Sequence, residues 1–412
     1  MKKFGLLCAG IALVALAAGC SHLQQPTSDQ PDDSQKPPAK QAEGEPIKIG
    51  FIGPLTGDVA NLGQDTLKAT QLAIAEVNAE GGISGKPLEL IAEDGACNAK
   101  ASAEAGNKLI NLDKIPVILG GLCSGETNAF APTAEQNKVV VLSPCSSAPN
   151  ITQAGDYIFR TYPSDTFQGK FAAEYAYNTL GKKQAAVLAV LGDYGQGIKN
   201  TFMGRFKELG GTIVLAEDYN QESRDLRTEL TKIKAGNADM IYFIAYTEAG
   251  IVGLKQAKEL GLTIPVLSGD ALDDPKVHEN SFAEGLMYTV PSAPLTEEWK
   301  QKVIAAGGNP TLCTPYAYNN VKIIADIMNR VGTDATAIKD ELYKVKDYPG
   351  VSGPVTIDEN GDLATATYDV KIVKNGKAEV MKTDADQEAG DQKPAGDDVN
   401  DDANTDAGED AE

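Results

Sequence analysis

The chain contains 412 residues, of which 42% are hydrophobic and 23% charged, and its formal net charge is −21. This length predicts two or three domains, and the composition excludes a collagen-like, coiled-coil or wholly disordered protein. The negative charge argues against nucleic acid or an anionic membrane surface as a partner, because both require clustered lysine and arginine.

The first twenty residues are typical of a secretory signal. Lys2 and Lys3 precede an apolar run at residues 6–18, which is shorter than the roughly twenty residues that cross a bilayer. The run ends in a sequence that resembles a bacterial lipobox, with Ala17 where leucine is usual. We therefore predict a lipoprotein signal peptide at residues 1–19 and a lipid on Cys20. The alternative is an ordinary secretory signal that is cleaved nearby.

The segments at both ends of the mature chain are predicted to be disordered. Residues 20–46 contain almost no apolar side chains, so they cannot bury enough surface to offset the entropy of ordering. Residues 383–412 contain twelve acidic side chains and one lysine, which together carry about half of the net charge. We interpret the first segment as a lipidated tether and the second as a solvated acidic tail.

Strand and helix patterns alternate between these two ends. The first series predicts strands at 47–53, 87–93, 116–120 and 139–143, with helices at 65–79, 99–111 and 130–136. The second series predicts strands at 185–191, 212–216, 240–245 and 265–267, with helices at 167–179, 198–209, 226–235 and 250–260. The pattern closes with helices at 297–306, 318–331 and 338–344 and a β segment at 355–380. Two such series predict an α/β protein with two similar parallel-sheet lobes.

Polar residues follow four of the predicted strands. Ser124 and Ser147 belong to the first series and supply hydroxyl and N–H groups. Tyr246 and Asp270 belong to the second series and supply a phenol and a carboxylate. Because ligands bind where parallel strands end, the two sets are expected to face a zwitterion from opposite walls of a cleft. Each residue taken alone is equally explained as a turn or helix-cap residue.

Several longer motifs occur in a fixed order along the chain. They are IKIGFIGPLTG at 47–57, AEVNAEGGISG at 75–85, GLCS at 121–124, LSP at 142–144 and DYG at 193–195. In this order and spacing they resemble the periplasmic leucine/isoleucine/valine-binding protein family, and the similarity extends to about Val380. The resemblance implies a type I periplasmic-binding-protein fold with two lobes joined by three hinge strands. It assigns residues 47–162 and 291–349 to the first lobe, and 163–290 and 350–382 to the second.

The resemblance also implies roles for individual residues. Ser124 and Ser147 are expected to hold the α-carboxylate of a ligand, and Cys145 to offer its main-chain carbonyl to the ammonium. Asp270 stands where leucine-type members have an acidic residue with a longer side chain, which pairs with the ammonium. The negative charge is therefore the same, but the side chain of Asp270 is shorter. The remaining positions expected to contact the ligand are Leu62, Leu122, Cys123, Tyr194, Tyr246 and Tyr318.

Four cysteines remain once Cys8 and Cys20 are set aside, an even number that fits an oxidising compartment. Three pairings are possible. The resemblance implies a bridge between Cys97 and Cys123. Cys145 and Cys313 then either form a second bridge or remain as two buried thiols.

The resemblance implies the substrate-binding component of an ABC importer. Such a protein captures a small solute by hinge closure and delivers it to a membrane permease. The expected solute is a branched-chain-like amino acid or a related small amine or amide. We expect a monomer that is anchored by lipid on the periplasmic or cell-surface face. The alternative is a ligand-sensing receptor protein that reports to a signalling partner.

No enzymatic activity, cofactor or metal site is predicted. Residues 121–125 fit the Gly-x-nucleophile-x-Gly pattern of hydrolases, with Cys123 as the nucleophile and His278 as a base. A disulfide-bonded Cys123 cannot attack a substrate, and we expect His278 to be a solvated helix residue. The same loop lacks the lysine of a phosphate-binding loop, because Glu126 occupies that position.

Overall fold

A computed structural model of the chain describes residues 42–381. The predicted signal peptide, the predicted lipid on Cys20, most of the tether and the acidic tail lie outside these residues. Within the described range, no helix combines the length and the apolar character that crossing a membrane requires.

The first lobe is built on five parallel strands. Its elements in chain order are β1 (Ile47–Gly53), α1 (Ala60–Ala79), β2 (Leu88–Asp94), α2 (Ala99–Asn107), β3 (Val117–Gly120), α3 (Ser124–Asn137), β4 (Val140–Ser143) and β5 (Ile158–Arg160). The strand order is β2-β1-β3-β4-β5, and every pairing is parallel. Strands β3 and β4 are buried along their whole length, as expected for parallel strands covered by helices on both faces.

The second lobe repeats this alternation. Its elements are α4 (Asp165–Glu174), β6 (Gln184–Val190), α5 (Asp193–Glu208), β7 (Thr212–Tyr219), α6 (Arg227–Ala235), β8 (Met240–Ile244), α7 (Thr247–Glu259), β9 (Val266–Ser268), α8 (Pro275–His278) and β10 (Met287–Pro291). The chain passes into this lobe between β5 and α4, and it leaves after β10. The predicted α/β fold with two parallel-sheet lobes is therefore confirmed.

The chain then returns to the first lobe and stays there longer than predicted. The returning elements are α9 (Glu297–Ala305), α10 (Thr314–Val331), α11 (Ala335–Leu342), β11 (Tyr348–Gly350) and β12 (Gly353–Val355). Val355, Ile357 and Leu363 pack into the first-lobe core, so the prediction that the chain leaves this lobe at residue 350 was wrong. The side chain of Asn319 on α10 holds this hairpin by bonds to Val351 and Ser352.

The last two strands complete the second sheet. They are β13 (Tyr368–Lys374) and β14 (Lys377–Val380), and the strand order of this sheet is β14-β13-β10-β9-β8-β6-β7. Both β13 and β14 pair in the antiparallel sense. The second and third connections between the lobes lie side by side, because the N–H of Ser292 donates to the carbonyl of Thr367.

Candidate functional site

The carboxyl ends of strands from both lobes enclose a small cavity of about 20 Å³. The first lobe contributes Leu62, Leu122, Cys123, Ser124, Cys145, Ser147 and Leu312. The second lobe and the first connection contribute Tyr162, Tyr194, Tyr246, Asp270 and Ala271. Nine of the ten residues that we expected to contact a ligand therefore lie together, and the tenth, Tyr318, does not.

The first-lobe wall presents hydroxyl and N–H groups at the start of α3. Oγ of Ser124 accepts hydrogen bonds from the N–H groups of Ser147 and Ala148, at 3.2 and 3.1 Å. Because this oxygen is already an acceptor, its own proton remains available for a ligand oxygen. The Ser147 hydroxyl lies 3.0 Å from the carboxyl group of Asp165, which sequence reasoning had not singled out.

A buried glutamate shapes the loop that carries this wall. The carboxylate of Glu126 accepts hydrogen bonds from the N–H groups of Cys97, Leu122 and Cys123 at 2.9 to 3.0 Å. Burial raises the pKa of Glu126 to about 7, although the three N–H donors act in the opposite direction. The glutamate that excluded a phosphate-binding loop thus has a structural role.

Two disulfides cross-link the first lobe. The predicted Cys97–Cys123 bridge is confirmed, and Cys145 and Cys313 form a second bridge instead of remaining as free thiols. The second bridge joins the loop after β4 to the residue that precedes α10. A bridged Cys123 cannot act as a nucleophile, which removes the hydrolase motif from consideration.

Removing the Cys97–Cys123 bridge is expected to lower the free energy of unfolding by roughly 3 kcal/mol, because the bridge restricts the unfolded chain. The sequence separation that it spans is 26 residues. A variant with Cys97→Ser and Cys123→Ser, which keeps the other bridge, would be compared with the parent protein by urea denaturation. Equal unfolding free energies would contradict the expectation.

The second-lobe wall is centred on the carboxylate of Asp270. Asp270 is 2% exposed, and it accepts hydrogen bonds from the hydroxyls of Tyr162 at 2.5 Å and Tyr194 at 3.2 Å. Burial raises the pKa of Asp270 to about 6, and the two phenols act in the opposite direction. The site therefore places an acid opposite the hydroxyls of the other lobe, and the two phenol donors favour the ionised form of that acid.

Aromatic rings surround this carboxylate. Tyr194 and Tyr246 lie with their ring centroids 5.2 Å apart, and Tyr162 packs edge-on against Tyr316 at 5.0 Å. Tyr318 points in another direction from Tyr316, because two residues that are two positions apart on a helix differ in direction by about 200°. Its hydroxyl donates to Glu76 on α1, so the prediction that Tyr318 contacts the ligand was wrong.

The histidine that sequence analysis placed in solvent is also buried. His278 is 6% exposed, and its Nε2 lies 3.0 Å from both the carbonyl oxygen of Leu272 and the hydroxyl of Tyr288. Burial lowers the pKa of His278, which favours a neutral ring. The expectation of a solvated helix residue was wrong, since the His278 ring stacks on the ring of Tyr288 in β10, with the centroids 5.4 Å apart.

Two further contacts join the lobes at the rim of the cleft. The guanidinium of Arg224 in the second lobe lies 2.5 Å from the carboxylate of Asp58 in the first. The amide of Asn150 in the first lobe donates to Asp193 in the second at 2.9 Å. Both contacts are exposed, so each contributes little stability alone. They nevertheless hold only while the lobes are in contact.

Comparisons with known proteins agree with this architecture. A family model described as "Periplasmic binding protein" matches residues 46–377. An amino acid binding protein of Pseudomonas aeruginosa is 29% identical over 78% of this chain and 88% of its own length. The Leu/Ile/Val-binding protein of Escherichia coli is 27% identical over 79% of this chain and 90% of its own.

Solved structures agree at the level of fold and sequence. A leucine binding protein of Thermotoga maritima superposes with a TM-score of 0.75 and 30% identity, over 82% of this chain and 98% of that one. A branched-chain amino acid transporter substrate binding protein of Streptococcus pneumoniae, in complex with isoleucine, superposes with a TM-score of 0.74 and 27% identity. The match covers 82% of this chain and 100% of that one. The chain therefore belongs to the periplasmic binding protein family that includes the Leu/Ile/Val-binding proteins.

Proposed function

We propose that this protein is the substrate-binding component of an ABC importer and that it binds an amino acid with an apolar side chain. The observation that carries the proposal is the opposition of Ser124 and Ser147 on one lobe to the carboxylate of Asp270 on the other. Hydroxyl donors suit a carboxylate, and a buried acid suits an ammonium, so the two walls complement a zwitterion.

The cavity also offers a surface for an apolar side chain. This surface is formed by Leu62, Leu122, Leu312, Ala271 and Cys145, which is bridged to Cys313. Because the polar groups belong to different lobes, a zwitterion satisfies both sets only when the lobes approach each other. Its binding therefore favours the closed form by the difference between its affinities for the two forms.

The names of the relatives support delivery to a transporter. Amino acids, leucine and isoleucine appear in the names of the similar proteins, and one of those names includes a branched-chain amino acid transporter. We propose that a permease recognises the closed form of this protein, which acts as a monomer. A lipid on Cys20 would keep it on the periplasmic or cell-surface face of a membrane.

A thermal-shift screen of amino acids tests this proposal. We expect L-leucine or a related apolar amino acid, at 100 times its dissociation constant, to stabilise the protein by about 2.7 kcal/mol. Benzoate is the matched control, since it offers a carboxylate and an apolar group but no ammonium for Asp270. Failure of every amino acid and related small amine or amide to raise the melting temperature would refute the proposal.

A further inference from the structure

A second buried carboxyl group lies directly behind the first-lobe wall. Asp165 is the first residue of α4, immediately after the first connection between the lobes, and its side chain is fully buried. Its Oδ2 lies 3.0 Å from Oγ of Ser147, and its backbone N–H donates to the Ser147 carbonyl at 2.7 Å. A single residue pair thus links the ligand wall of one lobe to the connection that leads into the other.

No basic side chain among residues 42–381 forms an ion pair with Asp165. The guanidinium of Arg160 is committed elsewhere, because it donates to both carboxylate oxygens of Asp362 and to the carbonyl of Ala148. Oδ1 of Asp165 has no hydrogen-bond partner in the described part of the chain. An ionised Asp165 would therefore be a buried charge without an ion-pair partner.

The groups that face Asp165 favour its protonated form. Burial raises the pKa of Asp165 well above its usual range, and the charge of Asp270 raises it further. The hydrogen bond with Ser147 and the charge of Arg160 act in the opposite direction, but burial and Asp270 outweigh them. The other titratable side chains close to it are the phenols of Tyr194, Tyr242, Tyr246 and Tyr368.

We propose that Asp165 is a positioning residue whose proton orients the Ser147 hydroxyl toward the carboxylate of the ligand. A protonated Asp165 donates its O–H to Oγ of Ser147, which leaves the proton of Ser147 free to be donated to the ligand. An ionised Asp165 instead accepts that proton, so Ser147 would present lone pairs to the ligand carboxylate. The proton on Asp165 comes from solvent. This inference rests on the proposed function, and it adds a protonated side chain to the proposed ligand-binding site.

The consequence is a loss of affinity at alkaline pH. As pH rises through the titration of Asp165 in the folded protein, ligand binding requires the uptake of one proton. The affinity then falls by up to about tenfold per pH unit. Asp165→Asn removes this dependence, since an amide N–H donates to Oγ of Ser147 at every pH and never becomes negative.

Calorimetric titration with L-leucine from pH 5 to 8.5 tests the inference. The parent protein should lose affinity as pH rises through the titration of Asp165, and buffers of different ionisation heat should reveal the accompanying proton uptake. Asp165→Asn should keep its affinity on the alkaline side, where the parent loses it. Glu222→Gln, which removes the charge of an exposed acid outside the cavity, should behave like the parent.

Identical alkaline profiles for the parent and Asp165→Asn would overturn the inference. Absence of proton uptake by the parent above neutral pH would also overturn it, and this measurement does not depend on whether the variant folds. If neither L-leucine nor any other amino acid binds the parent at any pH, the proposed function itself fails. The two failures are therefore distinguishable.

Discussion

Replacing Asp270 with asparagine is expected to lower the affinity for an amino acid by roughly 30-fold to several thousand-fold, which corresponds to about 2–5 kcal/mol. Asp270 is buried, and it is the acid that lines the cavity, so its loss leaves the ligand ammonium without a counter-charge. The asparagine still accepts a hydrogen bond from Tyr162 or Tyr194, which preserves the local packing. Calorimetric titration with the amino acid identified by thermal shift measures the loss.

Two variants and one pH series separate charge from geometry at this position. Asp274→Asn keeps its role as the N-cap of α8 and should bind like the parent. Because the pKa of Asp270 is about 6, the parent should lose affinity as pH falls through that value, whereas Asp270→Asn should not. Parental affinity in Asp270→Asn would contradict the proposed site.

The alternation of strands and helices was enough to predict the two sheets, but not where every element begins. Helices α3, α5 and α7 begin three to six residues earlier than their apolar periodicity indicated. Their first turns carry residues that face the cleft, such as Ser124 and Tyr194, instead of the apolar residues that pack on a sheet. Strands β5 and β10, each of which leads directly into a connection between the lobes, were missed.

Site residues were predictable where they follow strands or match a family motif. Tyr162 was missed because its partner, Asp270, is 108 residues away, and no local pattern indicates such a contact. Asp165 was missed for the same reason, since it acts through Ser147. Glu126 did have a local signal, because an acid at the third position of a helix often accepts the N–H of the capping residue.

A buried ion pair beside the site is expected to have the largest effect on stability. The Arg160 side chain is fully buried, and its Nε and Nη2 donate to the two oxygens of Asp362 at 2.7 and 2.8 Å. Asp362→Asn would leave the guanidinium without a counter-charge in the interior. We expect this variant to lose about 3–5 kcal/mol of unfolding free energy, measured by urea denaturation.

This loss should come from the unpaired charge and not from the turn that carries Asp362. Glu359→Gln removes an exposed charge in the same turn, and it should change stability by no more than about 0.5 kcal/mol. Adding Arg160→Met to Asp362→Asn should recover part of the loss, because no charge then remains unpaired in the interior. If Asp362→Asn is as stable as Glu359→Gln, the pair does not stabilise the lobe. In that case the hydrogen bond from Arg160 to the Ala148 carbonyl, and not the ion pair, would position the loop that carries Ser147.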